Sequence, residues 1–249
     1  VIEEYNIDHI INFAAESHVD RSIHGDCHDF VMTNTFGVLV LLNICKKYPI
    51  QKFVNVSTDE VYGSLALDDP NLFTEDTPIT PNMPYAAAKA GGDMLCRAYH
   101  VTHNTPVVVT HCSNNYGPYQ YPEKLIPISV FRLLKKKPIM MHGNGKNVRD
   151  WIHVLDHARA LDLMLHKGNP GEVYNVGVDN EINNLGIAKA ILSVMNHGDN
   201  MIEFVEDRPG NDLRYAIDST KIRKLGWEPI YTKEKFEIGL SETINWYLT

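Results

Sequence analysis

Short apolar runs alternate along this chain with longer segments of helical periodicity, and that alternation restricts its fold most tightly. Residues 9–15 (His-Ile-Ile-Asn-Phe-Ala-Ala), 52–57 (Lys-Phe-Val-Asn-Val-Ser) and 106–112 (Pro-Val-Val-Val-Thr-His-Cys) read as buried strands. Residues 26–47 and 85–103 space their apolar side chains for helices between them. The first helix ends on Lys46-Lys47, which suits a helix C-terminus. The second is expected to start on Asn82 as cap, with Pro84 near the first turn. Strand–helix–strand crossovers are right-handed and lay their strands parallel. The expected fold is therefore α/β, a doubly wound parallel sheet with helices on both faces. A proline-rich loop fills residues 62–84. Beyond Gly117 the pattern is looser, with helices expected at 123–137, 156–166, 184–195, 219–225 and 233–248. Extended segments are expected at 149–154, 172–177 and 202–206.

Composition narrows the partners. Of 249 residues, 44% are apolar, enough to offset the ordering entropy of a packed core, so disorder is excluded. No run approaches about 18 uninterrupted apolar residues, so no membrane partner is expected. The net charge of −8 gives no basic face, so no nucleic-acid partner is expected either. Cys27, Cys45, Cys96 and Cys112 form no CxxC and read as reduced thiols of a cytoplasmic protein. The opening Val-Ile-Glu-Glu-Tyr reads as the end of a helix already in progress, so an earlier segment is expected.

Four groups of residues suggest chemistry. Ser57-Thr58-Asp59-Glu60 follows the second strand, where ligands of parallel sheets bind. Adjacent carboxyl groups repel, so one can hold a proton and the pair can divide acid and base roles. The alternative is a polar turn that caps the next segment. Tyr85 and Lys89, four apart, share one helical face, and a nearby ammonium is expected to favour the tyrosinate. The alternative is an amphipathic helix with an exposed lysine. Arg149 and Arg208, with Asn114, Lys124 and Asn211, offer donors that suit a diphosphate. The alternative is surface salt bridging. His18, Asp20, His24, Cys27 and His28 crowd one stretch, but Asp20-Arg21 suggests a turn and no second ligand pair follows, so no metal is expected.

Taken together and in this order, the motifs resemble the extended short-chain dehydrogenase/reductase superfamily and, within it, the dTDP-glucose 4,6-dehydratases. The segments that carry the resemblance are Ala14-Ala15-Glu16-Ser17-His18-Val19-Asp20-Arg21-Ser22, Ser57 to Gly63, Tyr85 to Lys89, Asn114 to Tyr119, Pro122 to Pro127, Arg149-Asp150-Trp151 and Arg208 to Asp212. The resemblance implies a Rossmann-like sheet binding NAD, over 1–117 and 148–183, and a smaller mixed α/β unit for the nucleotide sugar, over 118–147 and 184–249. It implies that Tyr85, Lys89, Thr58, Asp59 and Glu60 are catalytic. It implies cofactor contacts at Ala14, Ala15, Glu16, Thr33, Tyr85, Lys89 and Asn115. It implies substrate contacts at Ser17, Thr58, Asn114, Lys124, Arg149, Asn184, Arg208 and Asn211.

The implied reaction oxidises C4 of dTDP-glucose, eliminates water across C5–C6 and returns hydride to C6. The implied assembly is a homodimer through the helices at 26–47 and 85–103. Two features depart from the family: the glycine-rich phosphate loop is absent, and Asn211 stands where His is usual. Alternatives are a UDP-sugar 4,6-dehydratase, a sibling epimerase or decarboxylase, and a non-catalytic dehydrogenase-like binding module. The Asp59-Glu60 pair weighs against an epimerase.

Overall fold

Period-two alternation of side chains builds the two faces of the main sheet. The computed structural model describes residues 1–249. After a short helix α1 (Ile2–Tyr5) come β1 (His9–Asn12), β2 (Lys52–Thr58) and β3 (Val107–Cys112). They lie parallel and adjacent in that order. Phe53, Val107 and Val109 face one side, where they bury Val38, Leu42 and Cys96. Val54 and Val108 face the other, against Ala160, Leu161 and Met164. The sheet is thus covered by helices on both faces, as the alternation predicts. A fourth parallel strand at 173–176 joins β3, so the segment at 172–177 returns to the main sheet.

Between β1 and β2 the chain forms α2 (Val19–His24), α3 (His28–Val31) and α4 (Gly37–Lys47). Residues 20–21 are helical rather than a turn, because the His18 imidazole caps α2 by accepting the Arg21 N–H at 3.3 Å. The helix expected over 26–47 contains a π segment, Met32–Phe36. Two glycines of α5 (Pro84–His103) make room for this wide turn. A Cβ on Gly92 would lie 2.5 Å from the Asn34 carbonyl oxygen, and one on Gly91 would lie 2.9 Å from Thr35 Oγ1. Thr35 Oγ1 donates to the Ala88 carbonyl at 2.8 Å. Asn82 is not the cap of α5: Met83 holds that position, and the Asn82 amide donates instead to Asp212 at 2.6 Å. His28–Lys47 is long and apolar enough to cross a membrane, a property hidden from a search for uninterrupted apolar runs. Phe30, Asn34, Val38, Leu42 and Cys45 of this helix are nevertheless buried within the protein.

Beyond β3, the strands β4 (Asn114–Tyr116), β5 (Ile139–His142), β6 (Val148–His153), β7 (Val173–Val176), β8 (Glu181–Asn183) and β9 (Ile202–Val205) are short. β6 lies between parallel β4 and antiparallel β8, and β5 pairs with β9. Helices α6 (Leu125–Leu134), α7 (Val154–Lys167), α8 (Asn184–Val194), α9 (Thr220–Arg223) and α10 (Phe236–Leu248) complete the chain. Ile126, Val130, Ile187, Ile191, Leu240 and Ile244 form a second core separate from the main sheet. Ile222 and Trp227 instead join the α7 side of the main sheet.

Candidate active site

The backbone leaves β2 through a 3-10 turn, Asp59–Tyr62, which lifts two carboxyl groups over the carboxyl end of the sheet. Thr58 caps this turn by accepting the Glu60 N–H at 3.3 Å. Asp59 is 1% exposed. Asp59 Oδ2 and Glu60 Oε2 have no hydrogen-bond partner in the protein. α5 brings Tyr85 and Lys89, both buried, to the same place. These five residues line one cleft of about 500 Å³.

The cleft also gathers Ala15, Ser17, Asn114, Asn115, Lys124, Arg149, Asn184, Arg208 and Asn211. Residues almost two hundred positions apart thus meet, as the sequence motifs predict. Ala14, Glu16 and Thr33 lie outside its wall. Glu16 pairs with Arg21 at 2.9 Å, and its backbone exchanges two hydrogen bonds with the buried Asn34 side chain. Arg149 stacks 4.1 Å from the Tyr215 ring and donates to the Asp212 carbonyl at 2.9 Å. Arg208 pairs with Asp20 at 3.1 Å, and Lys124 donates to the Ser17 carbonyl. Of the five residues at 18–28 weighed as metal ligands, only His18 and Asp20 reach the cleft. No group of three or more His, Cys, Asp or Glu side chains is placed to hold a metal.

The two carboxyl groups differ in surroundings. Burial pushes Asp59 well above the usual carboxylate range, and the charges of Glu60 and Asp150 push it further. Burial also raises Glu60, but Arg149, Lys124 and Arg208 pull it back. Asp59 is therefore the better proton donor and Glu60 the better base. Tyr85 departs from expectation. Burial, with Glu60 and Cys112, raises its phenol well above the ordinary value, and only a Thr58 hydrogen bond opposes this. Lys89 does not lower it, because its ammonium donates to the Val56 carbonyl at 2.6 Å. Burial lowers Lys89 itself.

Several cleft residues escaped the sequence reading. His157 is pushed down to about 4 by burial. It is therefore neutral, and its Nδ1 contacts Asn115 Oδ1 at 2.9 Å. Asn115 turns its amide nitrogen to the Ser113 carbonyl at 3.1 Å. That leaves Oδ1 as acceptor, His157 Nδ1 as donor and His157 Nε2 as a buried acceptor without a partner. Asn114 Oδ1 is likewise unpartnered. Tyr215 also lines the cleft. Its place seven residues after Arg208 was the one available signal; His157 carried none.

The sequence profile of the family described as GDP-mannose 4,6 dehydratase matches residues 1–242. A dTDP-glucose 4,6-dehydratase of Xanthomonas campestris is 46% identical over 268 aligned residues, which cover 100% of this chain and 75% of that protein. Among solved structures, a dTDP-glucose 4,6-dehydratase from Bacillus anthracis, in complex with NAD, superposes with a TM-score of 0.90 at 48% identity, over 99% of this chain and 74% of that one. DesIV, a dTDP-glucose 4,6-dehydratase from Streptomyces venezuelae with NAD bound, gives 0.93 at 45% identity, over 98% and 74%. With the cleft built as described and the match running over nearly its whole length, the chain belongs to the GDP-mannose 4,6 dehydratase family of nucleotide-sugar enzymes.

Proposed function

We propose that this chain dehydrates dTDP-glucose to its 4-keto-6-deoxy product with NAD as bound cofactor. The observation that carries this reading is the unequal pair Asp59–Glu60, each with one buried oxygen left without a partner, beside Tyr85 in one cleft. Dehydration needs an acid and a base on neighbouring carbons, and this pair supplies both.

The cleft fits a nicotinamide cofactor. His157 Nε2 and Asn114 Oδ1 are acceptors awaiting donors, and such orphaned buried atoms are costly unless a ligand meets them. Ala15, Tyr85, Lys89 and Asn115 would hold the cofactor there, with Ala14, Glu16 and Thr33 supporting from outside the cleft wall. When bound, NAD supplies a reversible hydride acceptor and a positive charge. Tyr85, whose phenol is held protonated by burial, works as a base only in the loaded cleft. It takes the proton of the sugar 4-hydroxyl, with Thr58 orienting that hydroxyl. The 4-keto group makes the C5 proton acidic, and Glu60 removes it. Asp59 donates its proton to the departing 6-hydroxyl as water. Arg149, Arg208, Lys124, Ser17, Asn114, Asn184 and Asn211 hold the nucleotide diphosphate and sugar.

Residues 1–117 with 148–183 would form the cofactor unit, and 118–147 with 184–249 the sugar-nucleotide unit. The separate core around Ile126, Ile187 and Leu240 supports a second unit, although Ile222 and Trp227 pack on the main sheet. A homodimer would cover the exposed apolar row Val31, Met32, Phe36 and Val40, with Met94 and Val101 of α5. A light-scattering mass near twice 28.2 kDa is expected, and a monomer would remove that assembly. The four free cysteines are consistent with a cytoplasmic location.

Mass spectrometry of dTDP-glucose incubated with the chain and NAD tests the activity. A product lighter by one water is expected. Water loss only from UDP- or GDP-glucose would reassign the base, and no loss from any of them would overturn the reading.

A further inference from the structure

Behind the cleft, on the α5 face of the main sheet, lies a chain of buried polar side chains that the reaction does not touch. Asp93 stands one helical turn beyond Lys89 and is 3% exposed. Its Oδ1 accepts Asn55 Nδ2 at 3.0 Å. Its Oδ2 accepts Ser57 Oγ at 2.6 Å and meets His111 Nε2 at 3.2 Å. His111 Nδ1 lies 2.7 Å from the Tyr62 hydroxyl, which donates to Asn175 Oδ1 at 2.9 Å. His111, Tyr62 and Asn175 are all buried. Lys89 from α5, and Asp59 and Glu75 from the loops, are the charged neighbours of this chain.

At the Tyr62 end the hydrogens fall in one arrangement. Asn175 Nδ2 donates to the Phe73 carbonyl at 3.0 Å, so its Oδ1 is an acceptor. Tyr62, held protonated by burial, has one hydrogen, and it goes to that acceptor. The hydrogen between Tyr62 and His111 must then sit on Nδ1. Another lies between Nε2 and Asp93 Oδ2, because two lone pairs would otherwise face each other at 3.2 Å. That hydrogen bond ties Asp93 to His111 whichever of the two atoms carries the hydrogen, so one carboxyl group gathers Asn55, Ser57 and His111.

The network holds two pieces of the active site together. Ser57 and Tyr62 grip the segment 57–62 at its two ends, and Thr58, Asp59 and Glu60 lie between them. Asp93 belongs to the helix that carries Tyr85 and Lys89. We propose that Asp93 and His111 form a buried brace that fixes the Asp59–Glu60 pair against Tyr85 and Lys89. They are positioning residues, and their kinetic effect rests on the dehydratase reading above.

The test joins a signature of the parent protein to two variants. Nitrogen-15-edited NMR of the histidine side chains is expected to show the His111 Nδ1–H protected from solvent exchange, as its bond to the Tyr62 hydroxyl requires; a freely exchanging Nδ1–H would overturn the brace. Asp93→Asn puts an amide nitrogen where a carboxyl oxygen meets its partners. With dTDP-glucose and NAD it is expected to lose about 100-fold in kcat, the scale of a small misplacement of reacting groups. KM is expected to hold within about threefold, because the groups that bind substrate remain. Reduced cofactor should accumulate, because C4 is still oxidised while water loss lags. Tyr62→Phe, which keeps the ring, is expected to show the same imbalance at about tenfold, the scale of one lost neutral hydrogen bond. Variants that lose only thermal stability, with kcat and cofactor level unchanged, would overturn the positioning role. A parent chain that leaves dTDP-glucose intact would sink the dehydratase reading, while the His111 signature on the same sample would still decide the brace.

Discussion

The two sides of the carboxyl end of β2 treat polar groups in opposite ways. On the cleft side, Asp59 Oδ2, Glu60 Oε2, Asn114 Oδ1 and His157 Nε2 have no partner. On the α5 side, the side chains of Asn12, Asn55, Ser57, Asp93, His111 and Tyr62 are joined by hydrogen bonds. A buried donor or acceptor left alone costs about 1–3 kcal/mol. Scattered hydroxyls such as those of Thr110 and Ser129 also lack partners, but four unmet atoms facing one cleft mark a place for ligand, and the met ones across the strand hold the site in shape. Changes to unmet atoms on the cleft side should therefore cost activity with little loss of stability, and changes on the far side should cost stability and, through misplacement of the site, activity as well.

The largest effect is expected from Glu60→Gln. Loss of the base should slow water elimination by about 1,000-fold, within the usual range for general acid–base groups. Oxidation at C4 should persist in part, because Tyr85, Lys89 and Thr58 are untouched. Stopped-flow absorbance would then show reduced cofactor appearing without dehydrated product. Normal water loss in this variant would reassign the base and erase the distinction between Asp59 and Glu60.

His157 gives the next effect. Its folded value of about 4 lies below the 6.5 of an exposed histidine. Stability gained from the neutral ring is therefore fully present above pH 6.5 and is lost as pH falls toward 4. The shift corresponds to about 3 kcal/mol at most. Melting temperature measured from pH 7.5 to 4.5 should fall less steeply in His157→Gln than in the parent. Parallel profiles would mean that the ring is not held neutral.

Much of this was legible in the residues, and the boundary is physical. The sheet and its helices follow from apolar periodicity, which a linear reading sees directly. Thr58, Asp59, Glu60, Tyr85 and Lys89 stood out because their chemistry is concentrated in two short stretches. The short strands β4, β5 and β8 escaped because three or four residues carry too little periodicity. The π segment escaped because its cause, Gly91 and Gly92, sits some sixty residues away. Lys89 was expected to ionise Tyr85 on spacing alone, but side-chain reach and the Val56 carbonyl decide where its ammonium goes. His111 and Asp93 looked like ordinary strand and helix residues, since their meaning lies wholly in three-dimensional partners.

The smallest and sharpest test makes one deletion on each side of β2. Asn55 is 1% exposed, accepts from Asn12 at 3.0 Å and donates to Asp93 at 3.0 Å. Asn55→Ala strands both partners in a buried site and should lower stability by about 2 kcal/mol. Asn114, half-buried at the cleft, has an unmet carbonyl oxygen, so Asn114→Ala removes a group that contributes little to folding. Its stability should stay within about 0.5 kcal/mol of the parent, while affinity for the nucleotide sugar or cofactor falls. Denaturant melts of both variants, with ligand titration of the second, decide the matter. Equal losses of stability would mean that the unmet atoms of the cleft serve the fold as much as the met ones do. In that case they would no longer mark a binding site.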